Sequence, residues 1–381
     1  MKTARDPWRT RERDDLRALV ADFTTREIVP HLAGWERGGE IPRDLHRGAA
    51  AVGILGLGFA EDVGGSGGDA IDAFVAAEQM ILSGGSGGLI AGLFTHGIAL
   101  PHIVASGDAD LVDRFVRPTL AGDMIGSLAI TEPEGGSDVA GIRTRAVRDG
   151  DEYVVDGAKL YITSGVRADF VTTAVRTGGP GHGGVSLLVV EKARGIEARA
   201  LAKMGWLCSD TAELSYAGVR VPVANLVGAE GSGFIQIAQQ FQSERLSLAV
   251  QAYATAQRCF DLILAWTRDR ETFGRPLISR QVVRHKLADL AREIDVARTY
   301  VRSVTTRWLD GEGMLAETAM AKNQAVACVD KVVHESVQLL GGMGYMREHE
   351  VERHYRDARI LGIGGGTTEI MNEIVAKLLL G

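Results

Sequence analysis

The spacing of apolar residues changes twice along the chain, and this change constrains the fold more than any other feature. From about residue 16 to residue 120, apolar segments of helix length are separated by glycine-rich breaks. From about residue 125 to residue 227, short β-rich runs lie between turn residues. Beyond residue 233 the helical period returns and lasts almost to the end. The sequence therefore predicts an N-terminal helical domain (1–124), a middle β-domain (125–233) and a C-terminal helical domain (234–381).

Local patterns refine two of these regions. Asp149-Gly150 and Asp156-Gly157 predict tight hairpin turns in the β-domain, because glycine adopts a positive φ at no steric cost. In the last region, apolar residues at spacings of three and four predict one apolar face on a long helix. The members of this face are Leu287, Leu290, Ile294, Ala297, Val301, Val304 and Trp308. Such a face packs against other helices, either within the subunit or across a subunit interface.

Charge and cysteine content argue against several classes of function. The chain has 42 Lys and Arg residues against 49 Asp and Glu, so it has no basic surplus for binding nucleic acid. No apolar run approaches the length needed to cross a bilayer, and residues 1–6 carry charge where a signal peptide would be apolar. The cysteines, Cys208, Cys259 and Cys328, fit neither a disulfide framework nor a zinc site. We therefore expect no membrane insertion, no metal site and a cytoplasmic location.

Glycine is the compositional outlier, with 48 residues, and its clusters mark the segments that carry chemistry. Five segments combine glycine with hydroxyl, aromatic or charged residues. They are Ser127–Asp138, Lys159–Gly165, Arg270–Leu277 with the nearby Gln281, Gln338–Tyr345 and Ile363–Ile370.

These segments have the chemistry of a ligand site. In the first, backbone N–H groups and hydroxyls can bind a polar ligand. In the third, Arg270 suits a phosphate and Phe273 can lie beside a ligand. In the fifth, three glycines precede a predicted helix N-terminus, so no side chain covers their backbone N–H groups, which can bind an anion or a carbonyl oxygen. Taken singly, each is equally typical of a surface turn, a hairpin edge or an interhelical loop, and none matches a dinucleotide-binding fingerprint.

Taken together, in this order and at these separations, the five segments resemble the acyl-CoA dehydrogenase family of flavoproteins. The resemblance extends from about residue 16 to residue 380. It implies an N-terminal α-helical domain, a middle β-barrel-like domain and a C-terminal four-helix bundle. It also implies FAD as cofactor, acyl-CoA as substrate, an electron-transfer flavoprotein as electron acceptor and a homotetramer.

The resemblance implies a set of FAD-binding residues. The segment from Leu128 to Ser137 would line the flavin, Thr163 would donate a hydrogen bond to its ring, and Tyr161 takes the place of a family tryptophan. The segments around 270–281 and 338–342 would hold the diphosphate and adenine, partly from a neighbouring subunit. The full set is Leu128, Ile130, Thr131, Gly136, Ser137, Tyr161, Ile162, Thr163, Arg270, Phe273, Gln281, Gln338, Leu339, Leu340, Gly341, Gly342, Thr367, Thr368 and Glu369.

The sequence departs from the commonest family pattern at the catalytic base. Most members have Glu-Gly-Thr in the last segment, where the Glu removes the α-proton, but here that position is Gly365. The isovaleryl and long-chain branches place their base in a Glu-Arg motif, which is matched here by Glu244 and Arg245. Glu244 is therefore the predicted base, and the backbone N–H of Gly365 would still bind the thioester carbonyl. The substrate-contacting residues that the resemblance implies are Ser137, Gln242, Arg245 and Gly366.

The predicted reaction removes a proton from Cα of an acyl-CoA and a hydride from Cβ to flavin N5, giving the trans-2-enoyl-CoA. Alternatives are a dehydrogenase of a carrier-protein-bound acyl group, a non-dehydrogenating flavoenzyme on the same fold, and a non-enzymatic scaffold. Residues of the acyl pocket are expected between Gly84 and His102 and near Glu244. The glycines at 84, 85, 87 and 88 suggest room for a long or branched chain.

Overall fold

The computed structural model describes residues 6–381, and its first region is helical from residue 11 to residue 120. Two segments with π-helical hydrogen bonding, Thr24–Ile28 and Val112–Val116, link successive helices. The helices are α1 (Arg11–Phe23), α2 (Val29–Gly38), α3 (Arg43–Ala51), α4 (Ala70–Leu82), α5 (Gly87–Leu93), α6 (His96–Ala99), α7 (Pro101–Ser106), α8 (Ala109–Leu111) and α9 (Arg117–Leu120). Most of the charged start at residues 1–6 lies outside the described residues.

The start of α4 shows how this region is held together. Asp69 caps the helix by accepting a hydrogen bond from the Ile71 N–H, and Asp72 completes a capping box. The guanidinium of Arg13 on α1 donates to both carboxylates, with N···O distances of 2.7 Å to each. The cap of one helix is therefore also its attachment to another.

A seven-stranded sheet forms the middle region. Its order is β1-β4-β2-β3-β7-β6, and β5 also pairs with β4. Strand β1 runs parallel to β4, whereas β5 runs antiparallel to it. The strands are β1 (Gly126–Ala129), β2 (Arg145–Asp149), β3 (Glu152–Thr163), β4 (Phe170–Arg176), β5 (Val185–Glu191), β6 (Glu197–Ala200) and β7 (Thr211–Pro222).

One of the two predicted hairpin turns is confirmed and the other is wrong. Gly150 lies in the turn between β2 and β3 with a φ of +63°. Gly157 instead lies inside the continuous strand β3, at a shift in the register with β7. Its φ is +146°, and a Cβ there would lie 2.7 Å from the Cα of Thr144. The glycine therefore permits a β-bulge and a close backbone approach, which sequence alone does not distinguish from a turn.

The last region is a bundle in which α12 packs against α10, α11 and α15. The predicted apolar face lies on α11 and is buried against α10 and α12 within the subunit, with Trp308 at its edge. The first of the two packing alternatives is therefore correct. The elements are α10 (Gly233–Asp269), β8 (Glu271–Thr272), β9 (Arg275–Pro276), α11 (Gln281–Leu309), α12 (Leu315–Leu340), α13 (Gly342–Tyr345), α14 (Glu350–Ala358) and α15 (Thr368–Leu380).

Within residues 6–381, no single helix has the length and apolar character needed to cross a membrane. Two consecutive helical segments, α5 and residues 96–106, together have the required length and apolar composition, but they are bent by 56° relative to each other. The thiols of Cys208, Cys259 and Cys328 are free and buried.

Candidate active site

The loop after β1 and the end of β3 form one edge of the site. The N–H of Leu160 donates to the carbonyl oxygen of Thr131 over 2.9 Å. The Ser127 hydroxyl donates to the carbonyl of Thr163 over 2.6 Å. The first two of the five glycine-containing segments are therefore in direct contact, as a shared ligand site requires.

A buried ion pair fixes this edge, and no local sequence pattern predicts it. The ammonium of Lys159 donates to Glu132 Oε1 and to the Ile130 carbonyl, both over 2.9 Å. The Glu132 carboxylate also accepts the N–H groups of Arg143 and Thr144. Burial lowers the pKa of Lys159 to about 8, although Glu132 opposes the shift. Burial raises the pKa of Glu132, but Lys159 and the N–H donors outweigh it, so its pKa lies below the ordinary value.

Several donors at this edge have no acceptor among the described residues. They include the N–H groups of Gly136 and Ser137, which lie in an irregular loop. The hydroxyls of Thr131 and Thr163 are half-buried. Tyr161 lies at a register break in β3 with a φ of +62°, and 67% of its surface is exposed. A left-handed tyrosine costs about 1–3 kcal/mol and is typical of a functional position.

The remaining predicted residues of this edge differ in what they can offer. Ile130 and Ile162 are buried in the hydrophobic core, whereas Leu128 is half-buried. Side chains in the core cannot contact a ligand, so Ile130 and Ile162 can contribute only backbone atoms.

The third segment forms the hairpin between α10 and α11. Phe273 lies at its tip with a φ of +51°, and 97% of its surface is exposed. The Arg280 guanidinium lies 5.4 Å from the centre of its ring. The exposed Arg270 lies over the Trp266 ring and has no carboxylate within 4.0 Å among the described residues. Arg270 is therefore free to bind an anion, and Gln281 is exposed at the start of α11.

The fourth segment ends α12. Gln338, Gly341 and Gly342 are exposed and Leu339 is half-buried, but Leu340 packs in the core. Leu340 can therefore offer only backbone atoms to FAD. No hydrogen bond or ion pair between described residues joins the third or fourth segment to the loop after β1. The predicted FAD-binding residues of these two segments are therefore not tied directly to those of the loop after β1 within one subunit.

The fifth segment is a glycine turn that precedes α15. Gly365 and Gly366 have φ values of +64° and +95°. The ammonium of Lys322 donates to the carbonyls of Gly364 over 2.7 Å and Gly366 over 2.5 Å. The Nε of Arg245 donates to the Gly365 carbonyl over 3.2 Å. The N–H groups of Gly365 and Gly366 have no acceptor within residues 6–381, so they are available to a ligand.

The residues after this turn have structural tasks. Thr367 caps α15, and its hydroxyl accepts a hydrogen bond from the Ile370 N–H over 3.2 Å. The side-chain amide of Asn323 donates to the Thr368 carbonyl. Glu369 is exposed.

Glu244 lies beside Gly365. A Cβ added to Gly365 would lie 3.4 Å from Glu244 Oε1 and 2.6 Å from Leu248 Cδ1. The carboxylate of Glu244 therefore occupies space next to the position from which a side chain at 365 would extend. It accepts no hydrogen bond from another described residue, and burial raises its pKa while Arg245 and Lys322 oppose the shift. A half-buried carboxylate with a raised pKa is typical of a general base.

A cavity of about 340 Å³ borders Arg245, but Glu244, Gly365 and Gly366 are not part of its wall. Its walls include Ser137 from the loop after β1, Arg245 and Phe241 from α10, and His182 stacked on Phe234. Two of the predicted substrate contacts, Ser137 and Arg245, therefore share one cavity, whereas Gln242 is not part of its wall. A larger cavity of about 460 Å³, between α12 and α14, contains none of the predicted residues.

The glycines before and within α5 do not leave room for an acyl chain, so that prediction is wrong. Cβ atoms at Gly87 and Gly88 would lie 2.4 Å and 2.8 Å from atoms of Trp206. At Gly85 a Cβ would lie 2.7 Å from the Met80 carbonyl oxygen. These glycines instead allow the loop of Trp206 and the end of α4 to approach closely.

The chain has a helical region, a sheet region and a second helical region. A carboxylate lies beside a glycine turn with free N–H groups, and further free donors lie at the sheet edge. This arrangement is typical of a flavin-dependent dehydrogenase. Three models of one family match almost the whole chain. They are the acyl-CoA dehydrogenase N-terminal domain (10–123), middle domain (127–219) and C-terminal domain (231–380). The chain belongs to the acyl-CoA dehydrogenase family, and it is an FAD-dependent oxidoreductase acting on CH–CH groups.

Individual relatives agree with this assignment. A long-chain specific acyl-CoA dehydrogenase of Sus scrofa mitochondria is 37% identical over 96% of this chain and 86% of its own length. A probable acyl-CoA dehydrogenase from Mycobacterium abscessus has a TM-score of 0.97 and 66% identity over 98% of this chain and all of that one. A glutaryl-CoA dehydrogenase of Mycobacterium smegmatis, solved in complex with FADH2, has a TM-score of 0.91 and 25% identity over 98% of this chain and 96% of that one.

Proposed function

We propose that Glu244 is the base with which this acyl-CoA dehydrogenase removes the α-proton and forms a trans-2-enoyl-CoA. The observation that supports this most directly is the 3.4 Å distance between Glu244 Oε1 and a Cβ built on Gly365. The carboxylate that the last segment lacks is thus supplied by α10 at nearly the same place. A general base needs only to bring its oxygen within about 3 Å of the proton, from whichever element carries it.

The surrounding residues prepare the reaction. Burial raises the pKa of Glu244, so that its carboxylate is a stronger base than an exposed one. The free N–H of Gly365 is proposed to donate to the thioester carbonyl, where negative charge develops as the α-proton leaves. We propose that Ser137 and Arg245, which share the wall of the 340 Å³ cavity, contact the rest of the substrate together with Gln242 and Gly366.

The described residues fit FAD. The unused N–H groups of Gly136 and Ser137 and the hydroxyls of Thr131 and Thr163 suit the carbonyl oxygens and ring nitrogens of a flavin. The unpaired guanidinium of Arg270 suits a diphosphate. When bound, FAD supplies the acceptor for the hydride from Cβ.

The lack of any direct bond, among the described residues, between the hairpin of Arg270 and the loop after β1 supports an assembly in which neighbouring subunits complete each other's FAD sites. We propose that this assembly is a homotetramer, in which the exposed Phe273 at the tip of the hairpin contacts a neighbouring subunit. We also propose an electron-transfer flavoprotein as acceptor, a cytoplasmic location consistent with three free thiols, and the domain division 1–124, 125–233 and 234–381.

The reaction and its substrate are tested together by adding a panel of acyl-CoA esters to the purified protein under anaerobic conditions. We expect the flavin absorbance to bleach, and medium-to-long or branched esters to act faster than butyryl-CoA. Fastest bleaching by butyryl-CoA would reverse the proposed chain preference, and bleaching by none of the esters would contradict the reaction itself.

The Arg270→Ala variant is expected to bind FAD about ten- to a hundredfold more weakly than wild type. The reason is that one charge-assisted hydrogen bond contributes about 1.5–3 kcal/mol. The Kd is measured by titrating the apoprotein with FAD and following flavin fluorescence. Arg268→Ala, which removes another exposed guanidinium two residues earlier, is the matched control and should retain the wild-type Kd. Equal Kd values for the two variants would exclude Arg270 from the FAD site.

The raised pKa of Glu244 also predicts an effect on stability. A carboxyl group whose pKa is higher in the folded than in the unfolded state favours folding when protonated. That contribution is present below the unfolded pKa and is lost as pH rises through the folded pKa. We therefore expect Glu244→Gln to unfold at a higher temperature than wild type at neutral pH, with a smaller difference in acid. Calorimetry of both proteins between acid and neutral pH measures the difference in unfolding temperature. A variant that unfolds at a lower temperature than wild type at neutral pH would contradict the prediction.

A further inference from the structure

Lys322 is a buried cation that makes no direct ion pair: burial lowers its pKa to about 8, and the nearby Glu244 carboxylate opposes the shift without contacting the ammonium. Its side chain is 0% exposed on α12, and no carboxylate among the described residues lies within 4.0 Å of its ammonium. Its hydrogen bonds go instead to two backbone carbonyls, those of Gly364 and Gly366. Burying an ammonium without a paired carboxylate is costly, and so this arrangement requires a reason.

The geometry of the peptide bond supplies one. In a trans peptide the carbonyl of one residue and the N–H of the next lie in one plane and point in opposite directions. A hydrogen bond from Lys322 to the Gly364 carbonyl therefore directs the Gly365 N–H away from Lys322. It also polarises that peptide group, which makes the N–H a stronger donor.

The turn needs such a constraint because of its composition. Glycine has more backbone freedom than any other residue, and this turn has three in succession. Two of them have positive φ values. Arg245 holds the intervening Gly365 carbonyl, so that all three carbonyls of the turn accept hydrogen bonds from cationic side chains. The Gly364 N–H donates to the Ile360 carbonyl, whereas the N–H groups of Gly365 and Gly366 have no acceptor within residues 6–381.

We propose that Lys322 is a positioning residue that aims the Gly365 N–H at the thioester carbonyl of acyl-CoA. This inference rests on the proposed role of the Gly365 N–H. Lys322 itself does not touch the substrate. It acts through the Gly364–Gly365 peptide, and its removal leaves the donor present but misdirected.

The test measures the carbonyl directly. Acyl-CoA labelled with ¹³C at the thioester carbonyl is bound to Glu244→Gln, which prevents turnover, and its stretching band is recorded by isotope-edited infrared spectroscopy. Hydrogen bonding lowers this frequency, so the band in Glu244→Gln/Lys322→Met should lie at higher wavenumber than in Glu244→Gln. An unchanged band would overturn the role of Lys322 and leave the proposed reaction standing.

Kinetics provide a second readout. A donor that acts mainly as charge develops contributes more to the transition state than to substrate binding. Lys322→Met alone should therefore lower kcat by about ten- to a hundredfold with little change in KM, a smaller loss than the 10²–10³-fold for a deleted donor. A purely structural role would leave kcat per folded, FAD-loaded site unchanged, and that result would contradict the proposal.

Lys203 offers a matched control. Its ammonium also donates to two loop carbonyls, those of Trp206 and Ser209, and has no carboxylate within 4.0 Å among the described residues. Lys203→Met should leave both the carbonyl band and kcat at their reference values. An equal shift in this control would show that the loss of any lysine bound to loop carbonyls disturbs the site, which would overturn the specific role of Lys322.

A second variant covers the case in which Lys322→Met does not fold. Lys322→Gln retains an N–H donor on a shorter, neutral side chain, and it should show a smaller shift of the band in the same direction. If the folded Gln variant retains the complete reference spectrum and kcat, the proposal is wrong. If no acyl-CoA reduces the wild-type flavin, the proposed reaction fails first, and the inference from it falls as well.

Discussion

Glu244→Gln is expected to lower the rate of flavin reduction by acyl-CoA at least about a hundredfold while FAD remains bound. Glutamine keeps the shape and hydrogen-bonding reach of the side chain but cannot accept a proton. Gly365 supplies no second carboxylate, and Arg245 and Lys322, which donate to the carbonyls of this turn, are cations. Stopped-flow absorbance under anaerobic conditions measures the reduction rate directly.

Asp261→Asn is a suitable control, because Asp261 lies on the same helix α10 and is exposed. It should reduce its flavin at the wild-type rate. If Glu244→Gln does the same, Glu244 is not the base and another group must remove the α-proton.

Moving the carboxylate from 244 to 365 is expected to fail unless Leu248 is also shortened. A Cβ at 365 would lie 2.6 Å from Leu248 Cδ1, so Glu244→Gly/Gly365→Glu should remain as slow as Glu244→Gly alone. Adding Leu248→Ala removes this clash, and we expect flavin reduction at least about tenfold faster than in the double variant. Recovery should be incomplete, since a left-handed glutamate at 365 costs about 1–2 kcal/mol.

The same stopped-flow assay measures all three variants. Glu244→Gly/Leu248→Ala, which has the added space but no carboxylate, is the control and should stay inactive. Recovery in the double variant without Leu248→Ala would show that Leu248 moves freely and is no obstacle.

The order of the helical and β regions could be predicted from the sequence because it depends on the local spacing of apolar residues. The pairing of Glu244 with Gly365 is implied by the family resemblance, since only comparison with the family pattern shows that a carboxylate is missing at 365 and present at 244. The structure adds the distance between them, which depends on how α10 packs against the turn before α15.

The features that sequence did not predict all depend on long-range contacts. The ion pair of Lys159 and Glu132 joins a strand to a loop 27 residues away, and Lys322 meets its carbonyls 42 and 44 residues along the chain. Glycine was misleading for the same reason. At Gly157 and Gly87 the missing side chain makes room for a distant part of the chain, and a local pattern cannot show what fills that space.

The shared space between residues 244 and 365 also constrains how a lineage can exchange one base position for the other. An ancestor with carboxylates at both positions would place two like charges in contact and crowd Leu248, whereas an ancestor with neither would have no base. A shorter residue at 248 would make the ancestor with two carboxylates possible. It removes the crowding, and the repulsion is then relieved if one of the two carboxyl groups stays protonated. Among descendants, the size of the residue at 248 should therefore vary together with the position of the glutamate.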